Sequence, residues 1–168
     1  MENITTFEQV KEFHNKFGHA VEEFTASPDA DTINLRLSLI IEEVTELIEA
    51  FGSTGSENIA HALSMINAGH EIIKNCDEED YETDIVEVAD ALGDIKYVVD
   101  GAALVCGIPL DKVSTEIHRS NMSKLGADGK VIYDARGKVQ KGPDYFKPDI
   151  MAQLNFRIIT NNKRIELV

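Results

Sequence analysis

Apolar residues at helical spacing run through most of the first 126 residues and constrain the fold more than any other feature of the sequence. They recur at intervals of three and four, which places them on one face of a helix. The two clearest sets are Phe7, Val10, Phe13, Phe17, Val21 and Phe24, followed by Leu35, Leu39, Ile40, Val44, Leu47, Ile48 and Phe51. Long amphipathic helices with short links are typical of bundles, so we predict an all-α fold, a bundle of four to five helices.

Capping and helix-breaking residues predict where these helices begin and end. In the first helix, Glu8 or Gln9 can complete a capping box with a preceding threonine, and Pro28 breaks the apolar stripe. The predicted limits are Thr5 or Thr6 to Phe24, Asp31 or Thr32 to Gly52, residues 57–75, Thr83 or Asp84 to Gly107, and a fifth helix that ends near Gly126. The face of the fourth helix that is predicted to be buried in the core is Ile85, Val88, Leu92, Ile95, Val99 and Ala102.

Beyond residue 126 the sequence predicts short hairpins and an extended tail. Residues 131–133 and 138–140 flank a turn sequence and predict a small hairpin, after which a proline-containing tail extends to Asp149. Residues 156–168 can pair with themselves around two adjacent asparagines. We therefore expect a short hairpin and an extended tail after the helical part.

The length and the charge of the chain limit its fold class and its partners. A chain of 168 residues suits one domain, with a helical part over residues 1–126 and a basic hairpin and tail over residues 127–168 that belong to it. The net charge of −14 argues against a nucleic-acid partner, since Lys and Arg must neutralise phosphates. Residues 1–110 hold 5 basic and 23 acidic residues, whereas residues 111–168 hold 11 basic and 7 acidic. An acidic region that can hold a metal ion and a basic region that can hold phosphates together suit a metal–polyphosphate ligand.

The sequence indicates neither a membrane protein nor a secreted one. No opening apolar stretch resembles a signal peptide, and no run approaches the roughly 18 to 20 apolar residues of a membrane helix. Cys76 and Cys106 have neither the spacing of a zinc site nor the number of a disulfide framework, so both are predicted to be reduced. We expect a cytoplasmic protein without a membrane partner.

Two acidic clusters with helical spacing predict a metal site. Their members are Glu42, Glu43, Glu46 and Glu49 in the second predicted helix, and Glu87, Asp90 and Asp94 in the fourth. Like charges at these spacings repel unless a cation lies among them. Carboxylate oxygens suit a hard ion such as Mg²⁺, with Mn²⁺ as a substitute. A di-iron oxidase is disfavoured because no Glu has a His three residues later.

Four stretches, in order, resemble the all-α nucleoside triphosphate pyrophosphohydrolases, which include MazG-like proteins, dimeric dUTPases and phosphoribosyl-ATP pyrophosphohydrolase. The stretches are residues 39–46 (LIIEEVTE), 90–99 (DALGDIKYVV), 116–124 (EIHRSNMSK) and 138–149 (KVQKGPDYFKPD). The first two resemble the metal-ligand motifs of the family and the third resembles its phosphate-binding motif. The fourth is similar to the tail of a MazG-like subgroup.

The resemblance implies metal ligands in the first two stretches. It assigns Glu43, Glu46, Asp90 and Asp94 to the metal, and it makes Glu42 and Glu43 candidate catalytic residues, with Glu42 either binding metal or orienting the attacking water. The usual second motif is Glu-x-x-Asp, and Ala91 stands where its Glu is expected if Asp94 is its Asp. Asp90 can supply the second carboxylate, since it lies one turn from Asp94, and a shifted alignment would pair Glu87 with Asp90 instead.

The resemblance also implies a nucleotide site. Arg119, Asn121 and Lys124 are expected to hold phosphate oxygens, although Arg119 and Lys124 could be ordinary surface cations. His14 and Tyr97 are candidates for the nucleoside pocket, with a packing role as the alternative for both.

The activity that the resemblance implies is Mg²⁺-dependent cleavage of a ribo- or deoxynucleoside triphosphate to the monophosphate and pyrophosphate, with dUTP or dCTP as the expected substrate. Hydrolysis of phosphoribosyl-ATP in histidine synthesis is the nearer alternative. A non-catalytic helical module that binds a cation or a basic partner is the alternative of another class. Because one chain with so many apolar stripes would leave a stripe exposed, we expect a homodimer or a dimer of dimers.

Overall fold

Helices make up most of the structure. The computed structural model describes residues 4–52, 56–76, 82–134, 139–155, 158–161 and 164–167. The described elements are α1 (Thr6–Phe17), α2 (Ala30–Gly52), α3 (Glu57–Lys74), α4 (Ile85–Val105), α5 (Leu110–Met122), a 3₁₀ turn (Met151–Gln153), β1 (Ile158–Asn161) and β2 (Arg164–Leu167). The all-α prediction is confirmed. None of the helices in the described part of the chain is both long and apolar enough to cross a membrane.

The first helix has the predicted beginning but ends earlier than predicted. The Thr5 hydroxyl accepts the Glu8 N–H at 3.2 Å, and the Glu8 carboxylate accepts the Thr5 N–H at 2.8 Å, which confirms the capping box. The prediction that the helix continues to Phe24 is wrong. Gly18 adopts φ 70° at the C-cap, a left-handed conformation that ends the helix after Phe17.

Side-chain caps begin α2 and α4, and only the cap of α4 was predicted correctly. The Asp29 carboxylate accepts the Thr32 N–H at 2.7 Å, so Asp29 caps α2 in place of the predicted Asp31 or Thr32. The predicted cap of α4 by Asp84 is confirmed, since its carboxylate accepts the Val86 N–H at 3.0 Å. Helix α5 ends at Met122, before the predicted limit near Gly126, because the chain turns there to meet its own tail.

The chain divides into two compact units. One unit comprises Phe24–Val88 and contains α2 and α3; the other comprises Met1–Glu23 and Ala89–Val168. In the first unit α2 packs along α3, and the Asn34 amide donates to the Cys76 carbonyl at 3.3 Å. In the second unit α1 packs on α5, and the 3₁₀ turn also contacts α5. A hydrogen bond from the Gln9 amide to the Thr115 hydroxyl, at 3.2 Å, joins these two helices.

The predicted hairpins are present in the described backbone. Tyr133 and Val139 form an antiparallel bridge, and the Gln140 N–H donates to the Ile132 carbonyl at 2.7 Å. Residues 135–138, which include most of the predicted turn and the first residue of its second strand, lie outside the described residues. Strands β1 and β2 pair in antiparallel register, which confirms the predicted pairing within residues 156–168.

Many large apolar side chains in the described part of the chain are exposed. Phe17 is 1% exposed and stacks on Phe13 with 4.1 Å between ring centroids, and its carbonyl accepts the Tyr133 hydroxyl at 2.9 Å. By contrast, the face of α4 that was predicted to be buried is exposed, as at Leu92 (50%) and Val99 (43%). The wrong prediction has a physical reason: helical spacing shows that a face is apolar but not which chain covers it.

Candidate active site

The acidic face of α2 carries the first predicted cluster. All four of its residues are exposed: Glu42, Glu43, Glu46 and Glu49. Within the described part of the chain, no cation forms an ion pair with any of them. Partial desolvation of the Glu43 carboxylate, together with the charges of Glu46 and Glu42, raises its pKa. These carboxylates therefore repel one another, and nothing on α2 neutralises them.

A cleft of about 570 Å³ opens between α2 and α3, within one compact unit. Its size falls in the range of small-molecule sites. It is lined by Asp31, Asn34, Leu35, Ser38, Leu39, Glu42, Thr45, Glu46, Glu49, Asn67, His70, Lys74 and Cys76. The structure thus brings three of the predicted acidic residues onto one wall of a ligand-sized cleft.

Helix α3 forms the facing wall of the cleft, and no functional role was predicted for this helix. Asn67, His70 and Lys74 follow one another at spacings of three and four on α3 and line the cleft. The His70 Nε2 lies 3.0 Å from the Ser38 Oγ of α2. The helical spacing of these three polar residues was visible in the sequence, but only the pairing of α2 with α3 shows what they face.

The second acidic cluster lies on α4. Glu87 is in the first turn, where its N–H donates to the Asp84 carboxylate at 3.2 Å, and Asp90 and Asp94 follow on an exposed part of the helix. Tyr97, the predicted nucleoside contact on this helix, is 80% exposed. Among the described residues, no group of three or more His, Cys, Asp or Glu side chains forms a metal site. The chemistry of both carboxylate sets fits a hard divalent ion, and the metal site stays a prediction.

Arg119 and Glu116 form a tight pair on α5. The guanidinium donates to both oxygens of Glu116, with the Nε and Nη2 each at 2.8 Å, and it stacks on Phe146 with its Cζ 4.1 Å from the ring centroid. The Asp149 N–H also donates to the Glu116 carboxylate at 2.8 Å. These hydrogen bonds, first from Arg119 and then from Asp149, lower the pKa of Glu116 to about 2.

Ser120 of α5 and Ser123, the residue after it, form hydrogen bonds with the tail. The Ser120 hydroxyl donates to the Phe146 carbonyl at 2.8 Å, and the Phe146 N–H donates to the Ser123 hydroxyl at 3.2 Å. Gly142 approaches so closely that a Cβ there would overlap the Leu125 carbonyl. We call residues 116–123 and 142–149 the clasp. Sequence reasoning missed it, because its hydrogen-bonded partners are 23 to 33 residues apart and become neighbours only in the fold.

The remaining predicted nucleotide contacts lie in the unit that contains the clasp. Asn121 and Lys124 are half-buried, and the Lys124 Nζ lies 6.0 Å from the centroid of the Phe13 ring. The His14 Nδ1 lies 2.9 Å from the Ala20 carbonyl oxygen, just beyond the end of α1. His14 therefore has a local structural partner, and its predicted role in a nucleoside pocket stays a prediction.

Comparison with known proteins gives three matches. A model of the phosphoribosyl-ATP pyrophosphohydrolase family matches residues 10–121, about two thirds of the chain. Uncharacterized protein L479 of Acanthamoeba polyphaga mimivirus is 33% identical over 116 residues, which span 66% of this chain but only 34% of that protein. The crystal structure of a candidate NTP pyrophosphohydrolase from Exiguobacterium sp. 255-15 matches with a TM-score of 0.66 and 27% identity, over 88% of this chain and 92% of that one.

Proposed function

Because the chain belongs to the phosphoribosyl-ATP pyrophosphohydrolase family, an all-α family of pyrophosphohydrolases, we propose that it cleaves a nucleoside triphosphate to the monophosphate and pyrophosphate with Mg²⁺ as cofactor. One observation carries the proposal: Glu42, Glu46 and Glu49 line a cleft of ligand size, and no ion pair among the described residues involves them. Unpaired carboxylates beside a cleft suit a site that receives its cation with the substrate.

The carboxylates have separate roles in this mechanism. Glu43, Glu46, Asp90 and Asp94 would hold Mg²⁺, with Glu87 as the alternate ligand. The bound ion would neutralise phosphate charge and polarise the phosphoryl oxygens. Glu42 orients the attacking water or joins the ligands.

The proposed phosphate ligands are Arg119 and Asn121 of α5 and Lys124, which follows it. Lys124 and Asn121 would donate to phosphate oxygens, which gain charge as the anhydride bond breaks. Arg119 also holds Glu116, and it does so through its Nε and Nη2. We therefore give Arg119 two roles, phosphate binding and support of the clasp. His14 and Tyr97 are proposed contacts to the nucleoside.

We propose dUTP or dCTP as the preferred substrate, by resemblance to MazG-like enzymes and dimeric dUTPases. The match to the phosphoribosyl-ATP pyrophosphohydrolase family favours a second candidate, phosphoribosyl-ATP, which carries the same triphosphate. Both reactions break the same kind of bond. A helical module that binds a cation without turnover is the alternative of another class.

We propose a homodimer or a dimer of dimers, which the exposed apolar face of α4 supports, and a cytoplasmic location, as expected from the sequence. Leu92, Ile95 and Val99, which share this face of the helix, are 50%, 41% and 43% exposed. An apolar surface of this extent is typical of an interface between subunits. Gel filtration with light scattering at micromolar concentration should give at least twice the 18.6 kDa chain mass, and a monomer would contradict the assembly.

The test of the proposed function is pyrophosphate release from all ribo- and deoxynucleoside triphosphates and from phosphoribosyl-ATP. Each reaction is run with Mg²⁺, with Mn²⁺ and with EDTA. We expect metal-dependent release, fastest with a pyrimidine deoxynucleotide. If only phosphoribosyl-ATP is cleaved, the second candidate is correct. If the folded protein binds metal but cleaves nothing, the binding module replaces the enzyme.

A further inference from the structure

We propose that the part of the α2–α3 cleft around Ser38, Asn67 and His70 binds the nucleoside half of the substrate. This inference rests on the proposed function and places the nucleoside against α2 and α3, as the alternative to the contacts with His14 and Tyr97 that the resemblance implies. All three residues line the cleft that Glu42 and Glu46 also line.

The cleft changes character along its length. The residues that line it toward the end of α2 include Glu42, Glu46 and Glu49, whereas those that line it around Ser38 include the apolar Leu35 and Leu39. Beyond these, Asp31 and Lys74 line the opposite end of the cleft. A triphosphate cannot approach the carboxylates without a metal ion, so it belongs at the acidic end. The apolar surface and uncharged polar groups around Ser38 suit a planar ring with hydrogen-bonding edges.

Two contacts fix the order of residues across the cleft. Asn34 contacts Cys76, and Ser38 contacts His70, so residue numbers rise along α2 as they fall along α3. Asn67, three residues before His70, therefore lies nearer to Glu42 than His70 does. Ser38 and Glu42 are four residues apart, about 6 Å along a helix. A ring beside Ser38 and metal-bound phosphates beside Glu42 can therefore belong to one nucleotide.

The side chains offer the hydrogen-bonding groups that recognition of a base requires. The Asn67 amide carries both donors and an acceptor, so it can pair with a ring edge that carries both. The contact between the Ser38 hydroxyl and the His70 ring at 3.0 Å holds both groups in place beside it. Fixed polar groups of this kind reject a base that lacks the matching group, because they would be left unpaired.

The test compares Asn67→Ala and His70→Ala with wild type in the full chain, with Mg²⁺ present. We measure kcat and KM for the best nucleotide of the panel, and the affinity for its unphosphorylated nucleoside by calorimetry. Each variant should raise KM about tenfold, the equivalent of one lost hydrogen bond, with kcat changed less than about twofold. Nucleoside affinity should fall by the same factor, and discrimination between bases should weaken.

His61→Ala is the matched control, since His61 is an exposed histidine of the same helix that does not line the cleft. Circular dichroism checks the fold of each variant, and Asn67, which is itself exposed, supports the test alone if His70→Ala unfolds. If the wild type cleaves a nucleotide and the variants keep its KM, its nucleoside affinity and its base discrimination, this inference alone is overturned. A wild type that neither cleaves nor binds any nucleotide overturns the proposed function, and the inference with it.

Discussion

Two glutamates, one on α2 and one on α5, have opposite electrostatic surroundings. Glu43 lies among other carboxylates, and desolvation together with the charges of Glu46 and Glu42 raises its pKa. Glu116 is buried, accepts three hydrogen bonds from Arg119 and Asp149, and has its pKa lowered to about 2. The α5 glutamate is neutralised by the protein itself, and the α2 glutamate is not.

The difference separates a structural carboxylate from one available for chemistry. A buried carboxylate with a bidentate arginine and a backbone donor has its hydrogen-bonding capacity used in holding the chain together. Exposed carboxylates that repel one another contribute nothing favourable to folding unless a cation arrives. The acidic face of α2 is therefore where an external ion would produce the largest change, and the clasp is where a mutation would disturb structure first.

The largest expected effect is the loss of activity on removal of a proposed metal ligand. Glu46→Gln and Asp94→Asn should each lower kcat/KM by about 100-fold or more, since changes even to groups behind metal ligands cost 10–100-fold. Pyrophosphate release is the measurement. Glu23→Gln, a neutralised exposed glutamate outside the helices, is the control and should retain activity. Full activity in Glu46→Gln would show that the acidic face is only a solvated surface.

Added Mg²⁺ should stabilise the wild-type protein. At about 100 times the dissociation constant, an ion that binds only the folded state raises the free energy of unfolding by about 2.7 kcal/mol. Urea unfolding with Mg²⁺ and with EDTA measures this increase in the free energy of unfolding. Glu46→Gln should lose most of this gain, and an equal gain in that variant would place the ion elsewhere.

Breaking the clasp should loosen the tail. Glu116→Ala and Arg119→Ala should each lower the urea midpoint, and the double variant should lose less than the sum of the two, because each removes the same pair. The control is Glu71→Ala, which breaks an exposed pair of the same i,i+3 spacing with Lys74, 3.6 Å apart, and such surface pairs contribute little. Additive losses would show that the two residues act independently.

The smallest effects are those of pH, and they have opposite signs. Because the folded-state pKa of Glu43 is raised, the metal-free wild type should lose stability relative to Glu43→Gln as pH rises above 4.5 through that pKa. Because the pKa of Glu116 is lowered to about 2, its contribution is complete above 4.5 and should be lost as pH falls from 4.5 toward 2. Urea midpoints of wild type, Glu43→Gln and Glu116→Gln across pH would test both signs.

Local features were predictable from the sequence, and contacts between distant segments were not. The capping box at Thr5 and the cap at Asp84 depend on neighbours three residues away, and both predictions are confirmed. Gly18 was overlooked because the apolar spacing continues past it to Phe24, although glycine allows the left-handed cap that ends the helix.

The candidate site was predictable on one helix at a time. Glu42 and Glu46 were identified from their spacing, and the structure places both on one cleft wall. No role could be predicted for His70, since its contact with Ser38 depends on how α2 and α3 pair. The role of Glu116 depends on a tail that returns to α5, which no local pattern encodes.

The split of one unit into two chain segments has a consequence for synthesis on the ribosome. Helix α1 is made early, but its packing partner α5 begins at Leu110, and the Tyr133 hydroxyl that binds the Phe17 carbonyl comes later still. The α2–α3 pair, by contrast, is complete once Cys76 has emerged. During translation α1 must therefore remain without its native partner while the middle of the chain folds, which leaves Phe13 and Phe17 accessible to chaperones.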